Sequence, residues 1–238
     1  LLSMIAVHEV LWSTGFVKNG YISSLSIVLA GLVPFWVYIG QGMRSALVGI
    51  FFYFLLIFLV AISSHYTVTL EKMGGSFFFA MLIPYFLSTF VRLNGLEKGG
   101  YLILIPLVAA VASDSFALFA GMAFGKHKLA PELSPKKTVE GSVGGLVGAV
   151  ALCIIYGVVL HVAFKQEVSY VRFALYGFLG SIVSQIGDLS FSYIKRQYGL
   201  KDFGNIFPGH GGVLDRFDSV IFCAPLMEIL IRWFPAVF

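Results

Sequence analysis

The chain has 238 residues, of which 58% are hydrophobic and only 12% charged, and its formal net charge is +4. Soluble domains carry about 25% charged residues, so a chain this apolar requires lipid as its solvent. The composition excludes an ordinary soluble domain and predicts one polytopic membrane bundle. The positive charge does not favour nucleic acid, because Lys and Arg cluster in short loops, where anionic headgroups and phosphates are the expected partners.

Eight segments are apolar enough to be predicted as membrane-spanning helices, since a span requires roughly 20 mostly apolar residues. The alternating polarity of strands is absent, and backbone groups in lipid must be satisfied internally. The predicted fold class is therefore all-α, a polytopic integral membrane helix bundle. In chain order the segments are residues 1–17, 21–40, 43–63, 76–93, 100–125, 141–164, 170–194 and 217–238.

The chain begins Leu1-Leu2-Ser3, without an initiator Met and without a charged region before the first apolar run. We therefore predict no signal peptide at this point. We expect instead that the native N-terminus is absent, and a further helix before residue 1 is left open.

The two halves of the chain carry different residue types. Residues 1–99 are hydrophobic with few polar features, and no internal repeat is found. Residues 100–238 contain every Asp, most Lys, and the Gly- and Pro-rich loops. We predict N-terminal scaffold helices over 1–99 and a catalytic transmembrane region with cytoplasmic loops over 100–238. Cys153 and Cys223 lie in apolar runs and are interpreted as small core residues, not as a disulfide.

Two loops of the second half are rich in basic residues. Two predicted helices separate these loops, so the loops face the same side of the membrane. Basic loops stay on the cytoplasmic side of most membrane proteins, which predicts a cytoplasmic location for both. The basic residues are Lys126, Lys128, Lys136 and Lys137 in one loop and Lys195, Arg196, Lys201 and Arg216 in the other.

Carboxylates lie at helical spacing around the second basic loop. Asp188, Ser192 and Lys195 are spaced i, i+4 and i+7, which places them on one helix face. Asp215 and Asp218, spaced i and i+3, also share a face. Three carboxylates converging near a membrane surface would repel one another, and charges at membrane depth are costly and usually functional. A divalent cation such as Mg²⁺, bound by one or two carboxylates plus substrate phosphates, removes both difficulties.

The basic neighbours of these carboxylates suit a polyphosphate ligand, because they offset its charge and stabilise the charge that builds up in phosphoryl transfer. The alternative is that the acids and bases pair only with one another near the membrane surface. Such a network does not require Gly209-His210-Gly211-Gly212. Glycines at this density let backbone amides approach an anion closely, and the following helix would point its N-terminus at it.

This region resembles the C-terminal signature of the bacterial-type phosphatidate cytidylyltransferases, Ser-x-x-Lys-Arg, Lys-Asp and Pro-Gly-His-Gly-Gly-x-x-Asp-Arg-x-Asp. The resemblance implies transfer of CMP from CTP to phosphatidic acid, with Mg²⁺ held by Asp188, Asp215 and Asp218 and a second cation left open. It also implies an integral protein of the bacterial inner membrane. The matching residues predicted as catalytic, together with Asp188, are Lys195, Arg196, Lys201, Asp202, His210, Asp215, Arg216 and Asp218. Those predicted to bind substrate are Ser192, Gly209, Gly211 and Gly212, and Pro208 completes the match.

A second stretch is similar to the same family and is predicted to bind substrate. It runs from Asp114-Ser115-Phe116 through Gly125–Pro131 to Ser134–Gly141. The family likeness covers about residues 112–227, and it is carried by no motif in residues 1–99. The substrate-binding residues predicted in this stretch are Lys126, Lys128, Ser134, Lys136, Lys137 and Thr138.

Ser134-Pro135 suits a helix start, with Ser as N-cap and Pro at the first helical position. Lys136 and Lys137 would then sit at the positive end of that helix, which suits a phosphate. The alternative is that the lysines of this loop only fix topology and contact anionic lipid. Asp114 lies inside an apolar run and is either a hydrogen-bonded core residue or part of the site.

Other features are interpreted more simply. The overlapping pairs Gly141/Gly145 and Gly144/Gly148 predict close helix packing. Glu9 and Glu228 are acids in apolar segments without a motif and stay unassigned. The predicted partners are CTP, phosphatidic acid and membrane lipids, with no nucleic acid and with a homodimer left open. The rival functions are a CTP-dependent polyprenol or phytol kinase and, from another class, an ion-coupled transporter.

Overall fold

A computed structural model describes residues 1–15, 20–40, 42–64, 67–206 and 211–238. Within these residues the chain forms ten α-helices and one antiparallel pair of short strands. The helices are α1 (Leu2–Ser13), α2 (Gly20–Tyr38), α3 (Gly42–Ser63), α4 (Leu70–Leu87), α5 (Thr89–Asn94), α6 (Gly99–Leu102), α7 (Ile105–Phe124), α8 (Val139–Phe164), α9 (Tyr170–Gln197) and α10 (Leu214–Trp233). The strands are β1 (Lys128–Ala130) and β2 (Ser134–Thr138).

Each of the eight predicted apolar segments coincides with one or two of these helices. Four helical stretches in the described part of the chain are long and apolar enough to cross a membrane, and α1 and residues 47–63 are shorter apolar helices. The predicted fold class is thereby confirmed, since the chain is an all-α membrane helix bundle. The four stretches are Gly20–Tyr38, Leu70–Asn94, Gly99–Phe124 and Val139–Phe164.

The chain divides into two compact units. The first comprises residues 1–92 and 197–217, and the second comprises residues 93–196 and 218–238. Segment 197–217, which carries the glycine-rich loop, therefore packs with the first helices of the chain. The predicted division of roles at residues 99 and 100 stays a prediction.

The first unit is held by apolar packing and by a few buried hydroxyls. Val7 and Val10 of α1 are fully buried. The Ser3 hydroxyl of α1 donates to the Ala30 carbonyl of α2 over 2.8 Å, and Ser26 of α2 hydrogen bonds with the Tyr53 hydroxyl of α3 over 3.0 Å. These bonds satisfy polar groups that would be costly to bury unpaired.

The second unit is built on the contact between α7 and α8, where small residues let two backbones approach. A Cβ atom at Gly144 would lie 2.2 Å from the Ala120 side chain, and one at Gly148 would lie 2.1 Å from the Phe116 ring. The close packing predicted from the spaced glycines is confirmed. Cys153 and Cys223 are buried and free, as predicted for core residues.

The prediction that Ser134 caps a helix with Pro135 at its first position is wrong. Residues Ser134–Thr138 form β2, which pairs with β1 with an irregular register. Extended backbone before a proline suits an N-cap residue and a strand residue equally, and the pairing of Ser134 with Ala130 and of Thr138 with Lys128 places this segment in a strand. Helix α8 begins at Val139, after the Thr138 hydroxyl accepts a hydrogen bond from the Gly141 amide over 3.1 Å.

Candidate active site

A cavity of about 660 Å³ lies in the second unit. Its wall combines the C-terminal half of α7, the β1–β2 hairpin, the first turn of α8 and the middle of α9. The hairpin brings basic and hydroxyl side chains to the cavity, and the helices bring carboxylates. Among the residues predicted for the site, those in the wall are Lys128, Ser134, Lys136, Lys137, Thr138 and Asp188, and Asp114 joins them.

Asp188 links helix α9 to the hairpin. The Lys137 ammonium group of β2 forms an ion pair with one oxygen of the Asp188 carboxylate. The Ser192 hydroxyl, one turn further along α9, donates to the other oxygen over 3.3 Å. About a quarter of each charged side chain is exposed, 26% for Lys137 and 24% for Asp188. The pair is thus open to a ligand in the cavity.

A second carboxylate, Asp218, lies deeper than Asp188. Its side chain is 12% exposed and lies 3.9 Å from the Lys195 ammonium nitrogen, and that lysine is 11% exposed. The Ser219 amide donates to Asp218 over 2.8 Å, and the Ser219 hydroxyl donates to Asp114 over 2.7 Å. Three carboxylates, those of Asp114, Asp188 and Asp218, thus lie around the two cations Lys137 and Lys195, so negative charge is in excess in this part of the site.

Asp215 lies one turn before Asp218 on α10, but it belongs to the first unit. One of its carboxylate oxygens accepts hydrogen bonds from two backbone amides, those of Phe203 over 2.8 Å and Gly212 over 3.0 Å. Gly211 has φ +81°, and a Cβ atom there would lie 3.0 Å from the same oxygen. Asp215 therefore fixes the loop that precedes α10, a role that the sequence did not predict.

The carboxylates of the site bear on how it could hold a metal ion. Among the residues that the structure describes, no three His, Cys, Asp or Glu side chains form a group able to hold a metal ion. Two carboxylates are sufficient when substrate phosphates complete the coordination of Mg²⁺. Asp188 and Asp218 are hard oxygen donors beside a basic cavity and fit that mode. The predicted set of Asp188, Asp215 and Asp218 stays a prediction.

Other predicted residues lie outside the cavity wall. The Arg196 guanidinium donates to the Leu133 carbonyl over 3.2 Å and ties α9 to the hairpin turn. Lys126, Lys201, Asp202 and Arg216 have exposed side chains. The Gly212 amide donates to Asp215, so it is used within the protein. Pro208, Gly209 and His210 lie outside the described residues.

The sequence prediction missed several polar residues that build the site. Ser142 and Gln185 line the cavity and are hydrogen bonded to each other, and Gln185 also donates to Ser181 over 3.0 Å. Gln185 precedes Asp188 by three residues on α9, so the shared helix face was a usable signal. Ser219 carried no signal in the sequence, because its partner Asp114 lies 105 residues away.

Glu140 was also missed, although it holds the base of the hairpin. Its carboxylate accepts hydrogen bonds from the amides of Lys126 and His127 over 3.1 and 3.2 Å, and it contacts the His127 ring over 2.6 Å. Its position two residues after the N-cap Thr138 is typical of acids that stabilise a helix start. Glu140 thereby fixes the backbone at residues 126 and 127, just before the hairpin strand β1.

Known proteins with similar sequences support the resemblance of these motifs to the phosphatidate cytidylyltransferases. The chain is 39% identical to the phosphatidate cytidylyltransferase of Bacillus subtilis over 169 residues, which is 71% of this chain and 61% of that protein. It is 35% identical to the Thermotoga maritima protein of the same name over 163 residues, 68% of this chain and 60% of that protein. It is also 35% identical to the Rickettsia bellii protein of that name over 182 residues, 74% of this chain and 78% of that protein.

The matched region spans about three-fifths of the length of the first two relatives. The sequence model of the Cytidylyltransferase family matches nearly the whole chain, residues 1–234. The match includes the hairpin, the cavity and the loop before α10. The chain therefore belongs to the cytidylyltransferase family.

Proposed function

We propose that the protein is a phosphatidate cytidylyltransferase, a nucleotidyltransferase of phospholipid biosynthesis. The observation that carries the proposal is the cavity in which Lys128, Lys136 and Lys137 lie together with Asp188. Several cations beside a carboxylate suit a metal-bound polyphosphate, and a cavity of about 660 Å³ has the size of a small-molecule site. The three relatives described above are named for this activity.

In the proposed reaction an oxygen of the phosphatidate phosphate attacks the α-phosphorus of CTP. A new P–O bond forms there, the bond between the α-phosphorus and the bridging oxygen breaks, and pyrophosphate leaves. The products are CDP-diacylglycerol and pyrophosphate. The nucleophile is already anionic, so no strong general base is required, and positioning and charge neutralisation supply most of the catalysis.

The hairpin lysines would bind the triphosphate. Lys136 is exposed at the cavity, and Lys137 is held by Asp188 at its edge. An ammonium group paired with a carboxylate keeps two further N–H groups, so Lys137 can donate to a phosphate oxygen without leaving Asp188. Lys195, beside Asp218, adds positive charge near the same carboxylates.

The proposal includes Mg²⁺, with Asp188 and Asp218 as the residues that would hold it together with substrate phosphates. When bound, the ion supplies charge neutralisation at the phosphate oxygens. Asp188 has the better access, since 24% of its side chain is exposed against 12% for Asp218. Ser192 and the Ser219 amide orient the two carboxylates through their hydrogen bonds.

We also propose that the site faces the cytoplasm of a bacterial cell, at the inner membrane, where CTP is available. The basic hairpin lies at the N-terminal end of α8, and Gln166 lies just beyond its C-terminal end. Single-cysteine labelling at Lys136 and Gln166 in sealed cells tests the orientation, with Cys153 and Cys223 buried and slow to react. Labelling of the Lys136 position from outside would refute the orientation.

The direct test is incubation of the purified protein with labelled CTP, UTP, ATP or dCTP, together with phosphatidate and Mg²⁺. A cytidine-containing lipid and free pyrophosphate are the expected products. Release of CDP with a phosphorylated alcohol would instead identify a polyprenol or phytol kinase. Absence of both products, with ion flux in sealed vesicles, would identify a transporter. Cross-linking in the membrane would test whether the protein forms a homodimer, which the sequence leaves open.

A further inference from the structure

An acid that no motif explains, Glu9 of α1, holds the start of α10. Its side chain is buried among apolar neighbours, with 5% of the residue exposed. One carboxylate oxygen accepts a hydrogen bond from the Val213 amide over 2.9 Å, and the other accepts one from the Leu214 amide over 2.8 Å. Both oxygens are therefore engaged by backbone groups of the glycine-rich segment.

These contacts fit a buried carboxylate. The first amides of a helix have no partner within the helix, and the helix dipole favours negative charge there. Hydrogen bonds to an ionised carboxylate are stronger than those between neutral groups. Removing Glu9 would leave two buried amides without an acceptor, which costs more than the bonds themselves are worth.

Two glycines make room for the Glu9 side chain. A Cβ atom at Gly204 would lie 2.6 Å from a Glu9 carboxylate oxygen, and a Cβ atom at Gly212 would lie 2.5 Å from both oxygens. Only glycine leaves the carboxylate in place at these distances. The density of glycine in this segment thus has a use inside the protein, besides the binding of a phosphate predicted from the sequence.

We infer that Glu9 is a positioning residue, which sets the described residues of this segment, 203–206 and 211–215, together with the first turn of α10. Glu9 acts through the amides of Val213 and Leu214. Helix α10, which begins at Leu214, carries Asp215 and Asp218. Because Glu9 accepts from both of those amides, they are already used within the protein. The effect on catalysis rests on the proposed function, whereas the effect on the segment does not.

The test compares Glu9→Gln with wild type in detergent. A glutamine presents an NH₂ group to one of the two amides, so one hydrogen bond is lost and replaced by repulsion between donors. We expect hydrogen exchange of the peptide covering residues 203–215 to rise at least roughly tenfold, with exchange in α7 unchanged. We expect kcat to fall at least roughly tenfold while KM for CTP changes less than about threefold, since orientation is lost but not phosphate binding.

Glu228→Gln is the matched control, because Glu228 is also buried, at 8% exposure, but pairs with Arg232 on its own helix. That variant should leave exchange of 203–215 and the kinetic constants unchanged. Gly204→Ala changes no charge and places a Cβ atom 2.6 Å from a Glu9 carboxylate oxygen and 3.1 Å from the Gly212 Cα atom, so it should raise exchange of the segment as Glu9→Gln does. If Glu9→Gln does not fold, hydrogen exchange in Gly204→Ala tests whether the Glu9 contact holds the segment.

Unchanged exchange of residues 203–215 in Glu9→Gln and Gly204→Ala would overturn the inference. Normal kcat in a Glu9→Gln protein with fast exchange would overturn its catalytic part. A wild-type protein that makes no cytidine-containing lipid would refute the proposed function instead, and the exchange data would still decide whether Glu9 holds the segment.

Discussion

Two loops of the molecule begin a helix, and they are held in different ways. At the start of α8 the partners are close in sequence, since Thr138 caps the Gly141 amide and Glu140 bonds the amide of Lys126. At the start of α10 the acceptor is Glu9, 204 residues before the first amide that it binds. With a local cap, residues 126–141 alone contain the contacts that position the basic side chains of the hairpin. A distant cap makes the loop depend on how the helices of the first unit pack.

The largest effect on turnover is expected at Asp188, whose partner Lys137 lies on the loop before α8. Asp188→Asn keeps the shape but removes the anionic oxygen that Lys137 pairs with and that a hard cation requires. We expect turnover to fall at least roughly a hundredfold, the scale seen when transition-state charge stabilisation is removed. Steady-state assay of purified protein measures this, with thermal unfolding in detergent as the check on folding.

Glu97→Gln, an exposed acid, should leave turnover near wild type and serves as the control for Asp188→Asn. Near-normal activity of a folded Asp188→Asn protein, with unchanged Mg²⁺ dependence, would place the chemistry away from the hairpin cavity. The locally capped loop before α8 would then have no role in the reaction.

In the loop before α10, substitutions of Asp215 should distinguish its role in holding the loop from the role of its negative charge. One oxygen of Asp215 accepts both the Phe203 and Gly212 amides, so the single carbonyl oxygen of an asparagine can replace it. We expect Asp215→Ala to raise hydrogen exchange of residues 203–212 roughly tenfold, and Asp215→Asn to raise it less than about threefold. Equal exchange in the two variants would show that Asp215 does not anchor the loop.

If Asp215 is also a metal ligand, as the family resemblance implies, the two variants should both lose turnover although only one loses anchoring. Turnover of Asp215→Asn at wild-type level would assign the residue to the loop alone. The same assay used for Asp188→Asn makes the distinction.

A smaller effect is expected at Lys137. Lys137→Met keeps the length of the side chain but removes its charge, so the triphosphate loses one charge-assisted contact. We expect KM for CTP to rise roughly tenfold, with a smaller change in kcat. Lys165→Met, at the other end of α8, is the control and should leave KM unchanged. A normal KM for Lys137→Met would support the alternative that the hairpin lysines only fix topology.

The smallest effect should come from the local cap itself. Thr138→Ala removes the acceptor for the Gly141 amide, and N-cap substitutions of this kind cost about 1 kcal/mol of stability. Thr138→Ser keeps the hydroxyl and should be close to wild type. Thermal unfolding in detergent provides the comparison. Equal stability of the alanine and serine variants would show that α8 does not depend on this cap.

The two loops also show what a sequence can and cannot predict. The helices followed from apolar length, and the packing of α7 on α8 followed from Gly144 and Gly148, because both signals are local. The β2 strand was missed, since Ser134-Pro135 satisfies a rule for helix starts and is equally compatible with extended backbone, and the pairing with β1 has no signal in the sequence. The motif residues identified the basic and hydroxyl side chains of the hairpin in the cavity wall, but not its apolar part or Ser142 and Gln185.

The partners of the motif residues could not be predicted in the same way. The bond from Ser219 to Asp114 and the bonds from Val213 and Leu214 to Glu9 join residues more than 100 positions apart. Neither contact has a spacing rule, because it depends on how separate helices pack. Glycine at positions 204 and 212 was a visible signal, but its cause, a neighbouring carboxylate, lies in the first helix.

The span between Glu9 and its amide partners also sets an order of events during synthesis. The ribosome must add the 204 residues from Glu9 to Val213 before the first of these bonds can form. At about 5–20 residues per second, that interval is roughly 10 to 40 s. Throughout it, the Glu9 carboxylate lacks the two amides that it binds in the folded protein. A chain that stops before Val213 leaves Glu9 without its two amide partners, so the first unit is complete only once residues 197–217 have been added.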